Sequence, residues 1–225
     1  MRRFTKFLAV AAVVPMLAMT VFSSNANAQF GSKMVKVSVT NISQQILSPV
    51  VVAAHTRDAS IFTLGEAASP ELAGLAEDAL FMPLEGALKT TDGVGDVGLS
   101  FGAGGPIMPG ETASVEIEAF GRARLISLVS MLVTTNDAFA GLNSVRAPNT
   151  GIGSHAAVAY DAGSEANTEL CAHIPGPPCG NAEVSPADMP EGFIYVHPGI
   201  RGDGDVPLDA DWRNPVALIT IERLR

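Results

Sequence analysis

In residues 112–120 the apolar side chains Ala113, Val115, Ile117 and Ala119 alternate strictly with Ser114, Glu116 and Glu118. A period of two fits a strand that buries one face and wets the other, because a helix would scatter the same positions around its axis. Residues 34–41 repeat the pattern, with Val35, Val37 and Val39 on one face and Lys36, Ser38 and Thr40 on the other. A half-buried strand needs a second apolar layer above it, so the chain is committed to a packed antiparallel sheet.

Other segments extend this reading. Residues 46–54 are densely apolar and contain Pro49, which belongs at a strand start or an edge because it has no N–H to donate. Residues 124–133 fit a helical stripe as well as a strand covered on both faces; the neighbouring strand signals, together with a family resemblance set out below, favour a central strand. Residues 193–197 and 216–223 read as the remaining strands, with Ile219 and Ile221 in the core, and residues 140–181 read as loop-rich. Ser69, Pro70 and Glu71 open one short helix with Leu72, Leu75, Ala76 and Ala79 on one face, and Pro83 limits its length. Six glycines within residues 92–105 read as a mobile connection, since no Lys-Ser/Thr pair follows to make a phosphate loop. Short strands, Gly/Pro turns and little helix predict an all-β antiparallel sandwich with one inserted helix and long loops.

The N-terminus is basic at Arg2, Arg3 and Lys6, apolar from there to Phe22, and ends in Ala26-Asn27-Ala28. This pattern predicts a secretory signal peptide over residues 1–28 and a single mature domain over 29–225, secreted or periplasmic. Without the leader the chain carries 11 basic and 23 acidic residues, net −12. Nucleic acid is a poor partner for such a surface, since binding it requires Lys and Arg to neutralise phosphates. Cys171 and Cys179 flank a Pro/Gly loop. In an oxidising compartment they are expected to pair; a zinc site with His173 is the alternative, lacking a fourth ligand at familiar spacing.

The string Ser130-Met131-Leu132-Val133, then Asn136-Asp137-Ala138-Phe139 and Gly141-Leu142-Asn143, then Tyr160-Asp161-Ala162-Gly163-Ser164-Glu165-Ala166-Asn167, resembles the spondin domain. The ending Asp211-Trp212-Arg213-Asn214-Pro215-Val216 looks like the last strand of its stand-alone bacterial versions. The resemblance implies a sandwich similar to C2 domains with calcium held at one end. Its metal carboxylates map onto Asp137, Asp161 and Glu165. Two positions depart from the pattern: Ala138 precedes the aromatic Phe139, and Glu165 stands where an aspartate is usual.

Calcium takes six to eight oxygens, so three carboxylates on two loops would supply part of a shell. The opposing reading is that these are ordinary turn acids bonding to their own backbone. A second acidic stretch, Asp203 to Asp211, lacks EF-hand spacing. Among the four histidines, His55 ends a strand and reads as structural, and no Gly-x-Ser-x-Gly or His-Glu-x-x-His motif accompanies any of them. The expectation is therefore a calcium-binding extracellular binding or adhesion module and not an enzyme, with an unidentified protein or glycan as partner. The alternatives are a structural protein whose ion only stabilises the fold, and a metal-dependent hydrolase.

Overall fold

The computed structural model describes residues 33–180 and 186–224; the expected signal peptide lies outside the described residues. The alternating segments become β1 (Met34–Asn41) and β4 (Thr112–Glu118), which pair antiparallel with Val37 opposite Val115. Val35, Val37, Val39, Ala113 and Ile117 are buried on the face the alternation predicted. The other strands are β2 (Val50–His55), β3 (Val94–Ser100), β5 (Leu125–Met131), β6 (Ala138–Arg146), β7 (Ile152–Asp161), β8 (Tyr195–Val196) and β9 (Ala217–Arg223). Pro49 stands immediately before β2, where its missing N–H costs no ladder bond.

All pairs are antiparallel and run in the order β3-β2-β5-β6-β7-β9-β1-β4, with β8 beside β7. The long strand β7 turns the corner between the two layers. Its first half pairs β9 through Ala157, and its second half pairs β6 from Val158 to Asp161. The two ends of the path meet: Asp96 on β3 accepts the Glu118 N–H of β4 at 2.7 Å. The result is a nearly closed antiparallel sandwich.

The layers enclose one core and helices enclose a second. Val50, Val52, Ala54, Ile126 and Leu128 point between the sheets. Val51, Ala53, Val129, Met131 and Phe139 point outward, beneath α1 (Pro70–Asp78) and α2 (Phe81–Lys89). Central strands buried on both faces explain the continuous apolar run of β5, which periodicity alone left open between helix and strand. Leu72, Leu75, Leu84 and Leu88 cover that outer face, each contributing about 1.5–3 kcal/mol of burial before entropy is counted.

Two expectations change. Among the described residues there are two α-helices, not one. Ser69 caps α1 through the Leu72 N–H, and α1 ends where Ala79 turns left-handed and Leu80 N–H returns to Gly74 O. Pro83 then stands in the first turn of α2, where no N–H is required. The glycine-rich segment is not a mobile connection but contains β3, paired with β2. A Cβ at Gly98 would lie 2.7 Å from Val115 and Ile117, so glycine is what lets β3 approach β4. Residues 140–180 are loop-rich, as expected, but also hold most of β6 and all of β7, which local patterning did not mark; the small residues of these strands, such as Ala140, Gly141, Ala157 and Ala159, carry little strand propensity and are placed by their neighbours.

Cys171 and Cys179 are disulfide-bonded, which removes both from any zinc site. Their loop packs on the turn after β5, where Thr134 Oγ1 donates to Pro177 O at 2.8 Å. A disulfide fits an oxidising compartment. Among the described residues no helix is long and apolar enough to cross a membrane.

Candidate functional site

The β5–β6 connection is a tight polar turn tied by Thr135. Its hydroxyl donates to Leu132 O at 2.6 Å and accepts the Ala138 N–H at 3.0 Å. This fixes Asp137 at the mouth of the hairpin. Ala138 is registered against Asp161, the last residue of β7, so the two aspartates come from adjacent strands at the same end of the sandwich. Both are fully buried.

The segment after β7 wraps this pair. Asp137 Oδ2 accepts the Ser164 and Glu165 N–H groups at 2.8 and 3.0 Å. Asp161 Oδ1 accepts the Gly163 N–H at 2.7 Å, and its Oδ2 accepts Asn167 Nδ2 at 2.5 Å. Asp137 Oδ1 is buried and, among the described residues, has no hydrogen-bond partner. An unmet buried carboxylate oxygen is expensive, and the usual remedies are a donor or a cation.

No cation is supplied by the described residues. The nearest candidate, His197, lies 3.8 Å from Asp161 Oδ2. Its Nδ1 accepts the Gly199 N–H, so Nε2 carries the proton and donates to Asn167 Oδ1 at 2.9 Å. Burial, then the nearby Arg201, pull its pKa down to about 4, so the ring is neutral near pH 7. Burial raises the Asp137 carboxyl well above the ordinary carboxylate range, and the Asp161 charge raises it further. Burial also raises Asp161, against the hydrogen bonds from Asn167, Tyr195 and Gly163. Glu191 adds its negative charge to both. Tyr195 is held protonated by burial and the Asp161 charge, and so donates to that carboxylate.

Glu165 is also buried, but it joins the pair through its N–H while its carboxylate meets other groups. Oε2 lies 3.5 Å from Asn136 Nδ2. Burial, then the Glu77 charge, push its pKa up to about 7. The three expected ligands therefore lie in one region, with Asp137 and Asp161 adjacent. Among the described residues, no three His, Cys, Asp or Glu side chains form a ready metal-ligand set. Glu191, Asn167, Tyr195 and His197 are participants that residue chemistry did not single out as site residues. Asn167 belongs to the string that carries the resemblance, whereas Glu191 has no local signal, because only the return of the chain to β8 brings it near.

The acidic stretch Asp203 to Asp211 begins beside a buried acid: the N–H groups of Arg201 and Gly202, just before it, and of Asp203 donate to the Glu169 carboxylate at 2.6, 2.7 and 3.1 Å. Asp205 accepts the Cys171 N–H, and Asp211 accepts the Ile200 N–H and pairs with Arg213. Glu169→Ala is expected to lower stability by about 2–4 kcal/mol, because three amides lose a charged acceptor together. Urea unfolding measures this, and protease nicking within residues 201–205 should rise in the same variant.

His55 is a structural strand-end residue. It is buried, with Nδ1 on Thr56 O at 2.7 Å and Nε2 on Ser127 Oγ at 2.8 Å. The chain matches no protein-family model, and no curated protein matches it in sequence.

Proposed function

We propose that the acidic end binds a divalent cation, calcium by preference, and that the chain is a spondin-like extracellular binding module whose loops the ion orders. The observation that carries this reading is Asp137 Oδ1, buried beside a second buried aspartate and without a hydrogen-bond partner among the described residues. Asp137 and Asp161 would hold the ion, with Glu191 and neutral oxygens nearby as further candidates. Bound there, a cation would supply positive charge to a pair of carboxylates that otherwise repel each other. Calcium suits the place better than magnesium, which demands near-ideal octahedral geometry. The sequence resemblance points to the same aspartates.

Complete burial of both aspartates favours an ion that holds loops over one that touches a substrate, since a catalytic metal keeps an open position. A purely structural role for the ion is the second reading, and it rests on the same burial. Calorimetric titration with calcium tests the site. Saturable binding is expected for the wild-type chain, with at least a tenfold loss in Asp137→Asn and Asp161→Asn. A flat titration of wild type, or equal binding by both variants, would exclude it. A glycan and surface-protein binding screen, run with calcium and with chelator, separates a binding module from a structural one.

A further inference from the structure

At the far end of the β5–β6 hairpin the charge reverses. Leu125 is registered against Arg146 there, whereas Met131 and Phe139 pair at the acidic end. Seven residues of extended strand put roughly 20 Å between the two ends. Around the opposite end lies a cavity of about 360 Å³ lined by Thr56, Arg57, Asp58, Arg122, Arg124 and Arg146, among others. The four arginines come from three separate places: the end of β2, the β4–β5 loop, and the end of β6. Four of the 14 Lys and Arg residues of a chain with net charge −9 are thus gathered on one cavity.

Among the described residues none of these guanidinium groups has a carboxylate within salt-bridge distance; the ion pairs present lie elsewhere, at Lys89, Arg201, Arg213 and His197. Asp58 is the one acid on the lining. Lys33 stands close by, its pKa lowered by burial and then by the charges of Arg124 and Arg223. Like charges held together without counterions repel, and arginine cannot escape by losing its proton. A multivalent anion would relieve that repulsion. Guanidinium forks match phosphate-type oxygens bidentately, and a tetrahedral oxyanion offers more oxygens and more charge than one carboxylate.

We propose that this cavity is an oxyanion site that binds a phosphoryl or sulfuryl group on a small ligand, with Arg57, Arg122, Arg124 and Arg146 as its donors. The volume is at the lower end of the range for small-molecule sites, enough for a sugar-sized ligand. A long polyanion is disfavoured, because beyond this cavity it would run onto a surface that is net acidic. The site is independent of the cation proposed at the other end.

Calorimetric titration of the full chain in chelator tests it, using inorganic phosphate, glucose 6-phosphate, glucose and a sulfated polysaccharide. Glucose 6-phosphate is expected to bind at one site with an affinity that falls as salt rises, while glucose gives no heat. Equal binding of inorganic phosphate would support the site with the free ion as its ligand; tighter binding of the ester would support it with the ester. Arg122→Ala/Arg146→Ala should weaken binding at least tenfold, Arg122→Lys/Arg146→Lys by less, and Asp137→Asn not at all. Arg122 and Arg146 are exposed, so these variants should retain the wild-type unfolding midpoint. No binding of any small anion, undiminished binding by the alanine pair, or binding of the polysaccharide alone would overturn the proposal.

Discussion

Gly163→Ala is expected to lower stability by about 3–5 kcal/mol and to abolish cation binding at the acidic end. Gly163 has φ +67°, a left-handed conformation that costs a non-glycine residue about 1–2 kcal/mol. The steric cost is larger. A Cβ there would lie 2.3 Å from the Phe193 carbonyl oxygen and 2.7 Å from its nitrogen, both backbone atoms that cannot rotate away. Relief requires the chain before β8 to move, which breaks the 2.8 Å bond from Gly192 N–H to Gly163 O. It also withdraws the Gly163 N–H from Asp161 Oδ1 and displaces the Ser164 and Glu165 amides from Asp137. Gly151→Ala provides the control, because Gly151 has φ +71° with open space around it. That variant should lose only about 1–2 kcal/mol. Urea unfolding of the two variants separates conformational from steric cost, and a Gly163→Ala loss no greater than that of Gly151→Ala would refute the close-packed account of this turn.

With metal removed by chelator, the protein is expected to lose stability as pH rises above 6.5, and saturating calcium should cancel that loss. A carboxyl whose folded pKa exceeds its unfolded one holds its proton more tightly in the folded chain. Its contribution is full at low pH and is lost as pH climbs from the unfolded value through the folded one. For Glu165 this window runs from 4.5 to about 7, and Asp137 and Asp161 are shifted in the same sense. His197 acts oppositely, because its pKa falls from 6.5 to about 4, so the fold gains stability as pH rises across that interval. Above 6.5 the histidine is past the midpoint of its titration in both states, and the three raised carboxyl groups dominate the slope. Calcium binds their ionised form, so its affinity grows as protons leave. At a hundred times its Kd it should add about 2.7 kcal/mol, which is roughly 5–10 °C in Tm for a domain of this size. Thermal melts in calcium and in chelator across this range measure both effects. A metal-free Tm that stays level or rises with pH would show that the buried acids are not strained in the way described.

Much of the fold is legible where burial is one-sided. β1 and β4 each present one face to the core, so their side chains alternate and the period is visible. The cap at Ser69 and the strand start at Pro49 are equally local, since each depends on groups a few residues away. β3, β6 and β7 escape such reading for a definite reason. Gly95 and Gly98 serve a close approach to Ala123, Val115 and Ile117, which lie in other segments of the chain. Alanines along β6 and β7 fill space beneath neighbouring strands and carry no pattern of their own. α2 is hidden by Pro83, which punctuates a sequence but is harmless in a first turn.

The candidate site divides in the same way. Asp137 and Asp161 stand out as acids beside strand ends, and the Asp-Ala-Gly turn advertises its own tight geometry. The role of Glu169 as an anion inside a ring of amides, the approach of Glu191 to the aspartate pair, and the meeting of Arg57, Arg122, Arg124 and Arg146 have no counterpart in local spacing. By itself the sequence determined that the chain forms an antiparallel sandwich with an acidic turn after a long apolar run, because alternation, capping and turn chemistry act within a few residues. Tertiary structure alone decided which charges lie within reach of one another. Strand register brings together groups dozens of residues apart, and electrostatic energy depends on their separation in space rather than along the chain.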